Sequence, residues 1–204
     1  MYVCKAKGSS VCIDKAKKKD CLRTIICDNH ALPLSAQANH KFCEIVDFVG
    51  STNTDYALCI GLNPKWGREN QFDRSNQKLA GYLKQNYKGF ILFNMFSILT
   101  DSKQQLKQYI KNNTSDVIND MRDVIAFVVS ATQNDIVLFY GDDAYSYVQS
   151  TRLSAAMSTA HTNNRTIYIS WDNSNAKFVH VGSQKCGTRM FANIVQYASQ
   201  ANVF

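Results

Sequence analysis

The chain has 204 residues, 45% of them hydrophobic and 19% charged, with a formal net charge of +7 and a pI near 9.0. That length and balance suit one domain with a sizeable core, and with no run of about 18 apolar residues a transmembrane helix is not expected. The opening MYVCKAKGSSVC lacks the apolar stretch of a secretory signal, and seven cysteines in loose spacing make no disulfide framework, so reduced thiols in a cytoplasmic protein are expected.

Residues 1–50 read as a less regular N-terminal extension with candidate strands at 22–27 and 42–49. Its densest basic run is Lys15, Lys17, Lys18 and Lys19, which suits either a solvated face or a phosphate contact. The positive charge permits a polyanionic partner without requiring one. Cys27-x2-His30 and His40-x2-Cys43 form two symmetrical pairs that could make a tetrahedral zinc set. Interspersed thiols and the intervening Leu32-Pro33-Leu34 favour buried free cysteines instead. No metal and no other cofactor is expected.

After the polar break Ser51-Thr52-Asn53-Thr54 the pattern becomes α/β. Residues 58–62 form a short apolar strand with Gly61 near its end. Residues 74–86 suit a helix with Leu79, Tyr82 and Leu83 on its apolar face and Asp73 or Ser75 as its cap. Gly89 precedes a second strand at 90–93, and Thr100-Asp101-Ser102 caps a helix running to 111. A longer helix at 115–131 places Val117, Met121, Val124, Ile125 and Val128 on its buried stripe. Strands follow at 136–140 and 166–170, with a helix after Gly141 through 148 and a last helix at 188–201. Four buried strands separated by helices predict a single three-layer α/β/α domain over 1–204, with a four-stranded, mostly parallel central sheet.

Ligands of open α/β sheets bind at the carboxyl ends of parallel strands, where two asparagines arrive. In Gly61-Leu62-Asn63-Pro64 the glycine permits close backbone approach and the proline fixes the turn. The Asn63 amide can position a water or a polar ligand edge, or simply close an Asx-turn. Asn94 follows the apolar run 90–93 and precedes Met95 and Phe96, so its amide is enclosed and needs partners. Loop backbone would serve, and so would the edge of a flat heterocycle.

GLNPKWGRENQFDRS resembles the signature of a bacterial domain-of-unknown-function family, L-N-P-S/T-x-A-D followed by D-x-T. Asn63, Pro64, Asp73 and Ser75 stand in place, while Lys65 and Gly67 depart from it. FILFNMF is similar to that family's N-L-F strand and FYGDDA to its W-G-x-x-A turn; His180-Val181 is a partial counterpart of its His-Pro. The same order of motifs resembles the uracil-DNA glycosylase superfamily, which implies a fold of that type. By this resemblance Asn63 would position the attacking water and Asn94 would read an extruded base. His180, with Gly182 and Ser183, would support the leaving group and enter the duplex, although no proline follows His180.

The chemistry is coherent with those residue types. Cleaving an N-glycosidic bond builds negative charge on the departing base, which amide donors and an imidazole can stabilise. Extracting the base from its stack favours an aromatic platform, for which Trp66 and Phe72 beside Pro64 are candidates, loop packing being the other use of Trp66. Asp73 could act as base or electrostatic stabiliser, or cap its helix. Lys65, Arg68, Ser183, Lys185 and Arg189 are the candidate DNA contacts. The expectation is a DNA glycosylase-like hydrolase that excises uracil or another altered base from DNA, in repair or phage defence, with no membrane partner. Two alternatives stand beside it: a noncatalytic nucleic-acid- or nucleotide-binding module on the same scaffold, and a hydrolase of free nucleosides or nucleotides.

Overall fold

The computed structural model describes residues 2–6, 9–18, 21–27, 40–64, 74–100, 102–112, 116–140, 150–169, 171–172 and 177–178. The chain starts with four strands, β1 (Tyr2–Ala6), β2 (Ser9–Lys18), β3 (Cys21–Cys27) and β4 (Lys41–Phe48). Each pairs antiparallel with the next. The N-terminal region expected to be less regular is therefore an ordered antiparallel ribbon, and the candidate strands at 22–27 and 42–49 are β3 and β4. Its first two strands lack a continuous apolar run, which antiparallel sheets tolerate because one face can stay solvated.

The α/β pattern follows. It comprises β5 (Tyr56–Gly61), α1 (Arg74–Leu83), β6 (Gly89–Asn94), α2 (Lys103–Asn112), α3 (Asp116–Ala131), β7 (Ile136–Leu138), α4 (Thr151–Thr162) and β8 (Ile167–Ile169). A small hairpin of β9 (Trp171–Asp172) and β10 (Lys177–Phe178) comes after it. The sheet order is β1-β2-β3-β4-β6-β5-β7-β8. Strands β6, β5, β7 and β8 run parallel, and β4 joins β6 antiparallel. The four strands read from apolar runs are thus neighbours, but the expected four-stranded, mostly parallel sheet is only half of an eight-stranded mixed one.

Both faces of the parallel half are covered, which is why its strands are apolar at nearly every position. Leu79 and Leu83 of α1 pack on one face against Ala57, Cys59, Phe90, Leu92 and Val137. Leu106 of α2, Ile125 and Val129 of α3, and Leu153 and Met157 of α4 pack on the other against Leu58, Ile60, Ile136 and Leu138. Each such aliphatic side chain contributes about 1.5–3 kcal/mol by leaving water.

Several local expectations need correction. Among the described side chains of α3, Met121 and Ile125 are buried as expected and Val128 packs partly buried on the core, joined by Arg122, Ala126 and Val129, whereas Val124 is exposed and Phe127 is 71% exposed; the side chain of Val117 lies outside the described residues. An arginine and an alanine hold core positions there, so the face cannot be read from apolar residues alone. Helix α4 was not expected; Ser150 caps it by accepting from the Leu153 amide, and Leu153, Ala156, Met157 and Ala160 are buried. Ser75 lies inside α1 instead of capping it. At α2 the cap is Ser102, whose hydroxyl accepts from the Gln105 amide at 3.2 Å. The expected helices at 141–148 and 188–201 lie outside the described residues. No helix among the described residues is long and apolar enough to cross a membrane.

At the amino ends of the parallel strands, polar groups are tied to one another. Tyr87 donates to Asp135 Oδ2 at 2.7 Å, Tyr56 donates to Asp47, and Asn134 Nδ2 donates to the Tyr56 carbonyl at 2.7 Å. The Arg165 guanidinium donates to the carbonyls of Val129 and Asn134. Burial and the Asp47 partner push the Tyr56 hydroxyl up to about 12. Burial, then the bonds with Tyr168 and Asp135, push Tyr87 up as well.

Candidate functional site

The carboxyl ends of β5 and β6 meet at Gly61 and Asn94, which are register partners. Parallel contact continues past the strands, with the Met95 amide donating to the Gly61 carbonyl at 2.9 Å and the Phe96 amide to the Leu62 carbonyl at 3.0 Å. Side chains alternate along a strand, so Asn94 lies on the same face as Phe90 and Leu92, the face that α1 covers. Gly61 makes that placement possible. A Cβ on Gly61 would lie 2.5 Å from Asn94 Oδ1 and 2.7 Å from the Phe139 ring. The Asn94 amide and the edge of Phe139 therefore occupy the space a side chain would fill.

Asn94 is only 5% exposed. Among the described residues, no hydrogen bond reaches its side-chain amide. An enclosed amide is ordinarily hydrogen-bonded within the fold. Its retention at a strand end is a reason to look for a ligand.

Asn63 is half-buried and differently engaged. Its Nδ2 donates to Thr100 Oγ1 at 2.9 Å, with longer contacts to the carbonyls of Thr100 and Pro64. Thr100, the first residue of the triplet expected to cap α2, bridges the segment after β6 to the segment after β5, while Ser102 of that triplet makes the cap. The same 95–100 segment is held from the other side. His40 Nδ1 and Ser97 Oγ share a 2.8 Å hydrogen bond, and the Lys41 amide donates to the Ser97 carbonyl at 2.8 Å. His40 also stacks on Phe42.

Under α1, on the face that carries Asn94, lies a buried charged group. Glu44 is fully buried; Lys41 Nζ donates to its Oε2 at 2.8 Å and Asn76 Nδ2 to its Oε1 at 3.0 Å. Beside it, burial and then the Glu44 charge push the Cys43 thiol up to about 12, against an opposing pull from Lys41. With that environment the Cys43 thiol holds its proton and is a poor nucleophile. Among the described residues no group of three or more His, Cys, Asp or Glu side chains could hold a metal ion; His30 and the side chain of Cys27 lie outside the described residues.

Of the residues singled out from sequence, Asn63, Pro64 and Asn94 come to one edge of the sheet. Lys65, Trp66, Arg68, Phe72, Asp73, His180, Ser183, Lys185 and Arg189 lie outside the described residues. Thr100, Ser97, Lys41, Glu44 and Asn76 join the edge without having been anticipated. A faint signal existed for two of them. Glu44 falls on the alternate positions of Val46 and Phe48, and Asn76 falls at helical spacing with Leu79 and Leu83. The described part of the edge offers amide hydrogen bonding and fixed dipoles; its carboxylate has both oxygens engaged.

The chain belongs to the family described as protein of unknown function (DUF1643), whose model matches residues 47–181. The match takes in β5, α1, β6 and both asparagines, and begins only after most of β4. No curated protein and no solved structure matches the chain.

Proposed function

We propose that the carboxyl edge of β5 and β6 is a nucleobase site, and that the protein is a DNA glycosylase-like hydrolase releasing uracil or another altered base from DNA. The observation that carries this reading is Asn94, a buried amide with no hydrogen bond from the described residues, at the end of a central parallel strand. An amide pairs a donor with an acceptor in one plane, the pattern that the edge of a pyrimidine or purine presents. In this reading Asn94 holds the base, and Asn63 uses its Oδ1 to orient water while its Nδ2 anchors it to Thr100. The imidazole of His180 and the aromatic rings of Trp66 and Phe72 would complete the pocket, with Lys65, Arg68, Ser183, Lys185 and Arg189 on the DNA. The net charge of +7 suits such a partner.

Duplex and single-stranded oligonucleotides carrying uracil, and then oxidised, deaminated and alkylated bases, test the proposal. Free base and alkali-labile abasic sites are the expected products. No release across the panel would remove the catalytic claim.

One observation favours a noncatalytic base-binding module instead: the Asn63 donor is spent on Thr100, as a structural tie would be. Asn63→Ala and Thr100→Val separate the two readings. An enzyme that uses Asn63 for water loses turnover in Asn63→Ala by far more than in Thr100→Val. A binding module loses the same about 1 kcal/mol of stability in both, and its base affinity stays unchanged.

A further inference from the structure

We infer that the Lys41–Glu44 pair is the positioning device of the carboxyl-edge site, and that this site is completed by a chain segment lying ahead of the family-matched region. What the site binds rests on the reading above; the positioning does not.

The pair is costly as a source of stability. Each ion in a protein interior carries a desolvation penalty of several kcal/mol, and replacing such a pair with apolar residues is often neutral or stabilising. Glu44 is fully buried and Lys41 nearly so. What the pair provides is direction. Glu44 binds two elements at once, Lys41 on its own strand and Asn76 in the first turn of α1. It thereby fixes the approach of α1, the helix into which the Asn63 segment leads, and turns the Asn76 amide so that its nitrogen faces β4.

The register links this device to Asn94. Glu44 is paired with Leu92, so Asn94 is its diagonal neighbour on the same face, about 7–8 Å away by sheet geometry. Residues 40 and 41 hold the other side of the site, through His40 to Ser97 and through the Lys41 amide to the Ser97 carbonyl. One short segment, 40–44, therefore clamps both the helix before Asn94 and the segment after it. The family match starts at residue 47. This chain thus supplies from its N-terminal ribbon a clamp that the matched region does not contain.

The test uses the full chain with Lys41→Met/Glu44→Leu and, separately, Asn76→Ala, which cuts the tie to α1 but leaves the ion pair. Thermal unfolding, the side-chain amide signals of Asn63 and Asn94 in 15N-labelled protein, and affinity for a single-stranded oligonucleotide with one deoxyuridine are measured for each. The expected result is a Tm close to that of the parent for the double variant and a lower one for Asn76→Ala, which leaves a buried Glu44 oxygen without its donor, with displaced Asn63 and Asn94 signals and oligonucleotide affinity lower by about tenfold or more in both. A pair that only stabilises the fold would give a lower Tm, with unmoved signals and unchanged affinity in the folded protein, and that would overturn the inference. If the double variant does not fold, unmoved signals in folded Asn76→Ala overturn it equally. Displaced signals in a protein whose parent binds no oligonucleotide would uphold the positioning and defeat the base-site reading.

Discussion

The two ends of the parallel strands treat buried polar groups in opposite ways. At the amino ends, Tyr87 closes on Asp135, Tyr56 on Asp47, and Arg165 on two backbone carbonyls. Such groups are satisfied by the fold itself, and they hold strands and helices in register. At the carboxyl ends, Asn94 is buried with no hydrogen bond from the described residues, and an ion pair sits where apolar packing would serve stability better. The same sheet therefore has one end closed by its own polar contacts and one where, beside the ties of Asn63, Ser97 and Glu44, an amide is left open. Strands of this arrangement bind their ligands at the second end.

The sharpest way to break this comparison is to add one methyl group at each end. At Gly89, on the amino side, a Cβ would overlap the Val46 carbonyl oxygen, and backbone cannot move aside. At Gly61, on the carboxyl side, it would meet the Asn94 amide and the Phe139 ring, which are side chains. Gly89→Ala should cost roughly 3 kcal/mol or more and Gly61→Ala roughly 1–2 kcal/mol, measured by urea unfolding. Only Gly61→Ala should lower base affinity. Equal losses of stability, with binding intact in both, would erase the distinction between the ends.

A smaller effect sharpens the amino end. The Tyr56 hydroxyl is raised to about 12 and Tyr87 is raised as well, against about 10 in an unfolded chain. The folded state keeps protons that the unfolded state releases, so this contribution is complete below pH 10 and is lost as pH climbs towards 12. The buried thiols Cys43 and Cys59 act in the same direction from about pH 9. Urea midpoints should therefore fall steadily above pH 9, and Tyr56→Phe should flatten the part between pH 10 and 12. A parent protein whose midpoint is level across that range would show that these hydroxyls are not held by the fold.

The legibility of the chain follows the same division. Strands β5, β6 and β7 are visible in sequence because a strand covered on both faces is a continuous apolar run. Helix α4 is hidden because half of its buried stripe is alanine among serines and threonines. The ribbon β1–β2 is hidden because its lysines and serines read as surface. At the site, Asn94 stands out as a polar residue closing an apolar run. Glu44 does not, because an acid within a half-polar strand looks solvent-facing until α1 is laid over it. Thr100 reads as a cap because its hydroxyl could bond nearby backbone; only the fold shows that it reaches Asn63, 37 residues away in sequence.

The central claim is that the Asn94 amide is held for a ligand and contributes little to the fold. Asn94→Leu tests it most directly, by thermal unfolding together with affinity for deoxyuridine-containing oligonucleotides. The account predicts a Tm equal to or above that of the parent, because no hydrogen bond from the described residues is lost and an apolar side chain replaces an enclosed amide, with affinity lower by about tenfold to a hundredfold. A clear fall in Tm with affinity unchanged would contradict it and return Asn94 to a structural role.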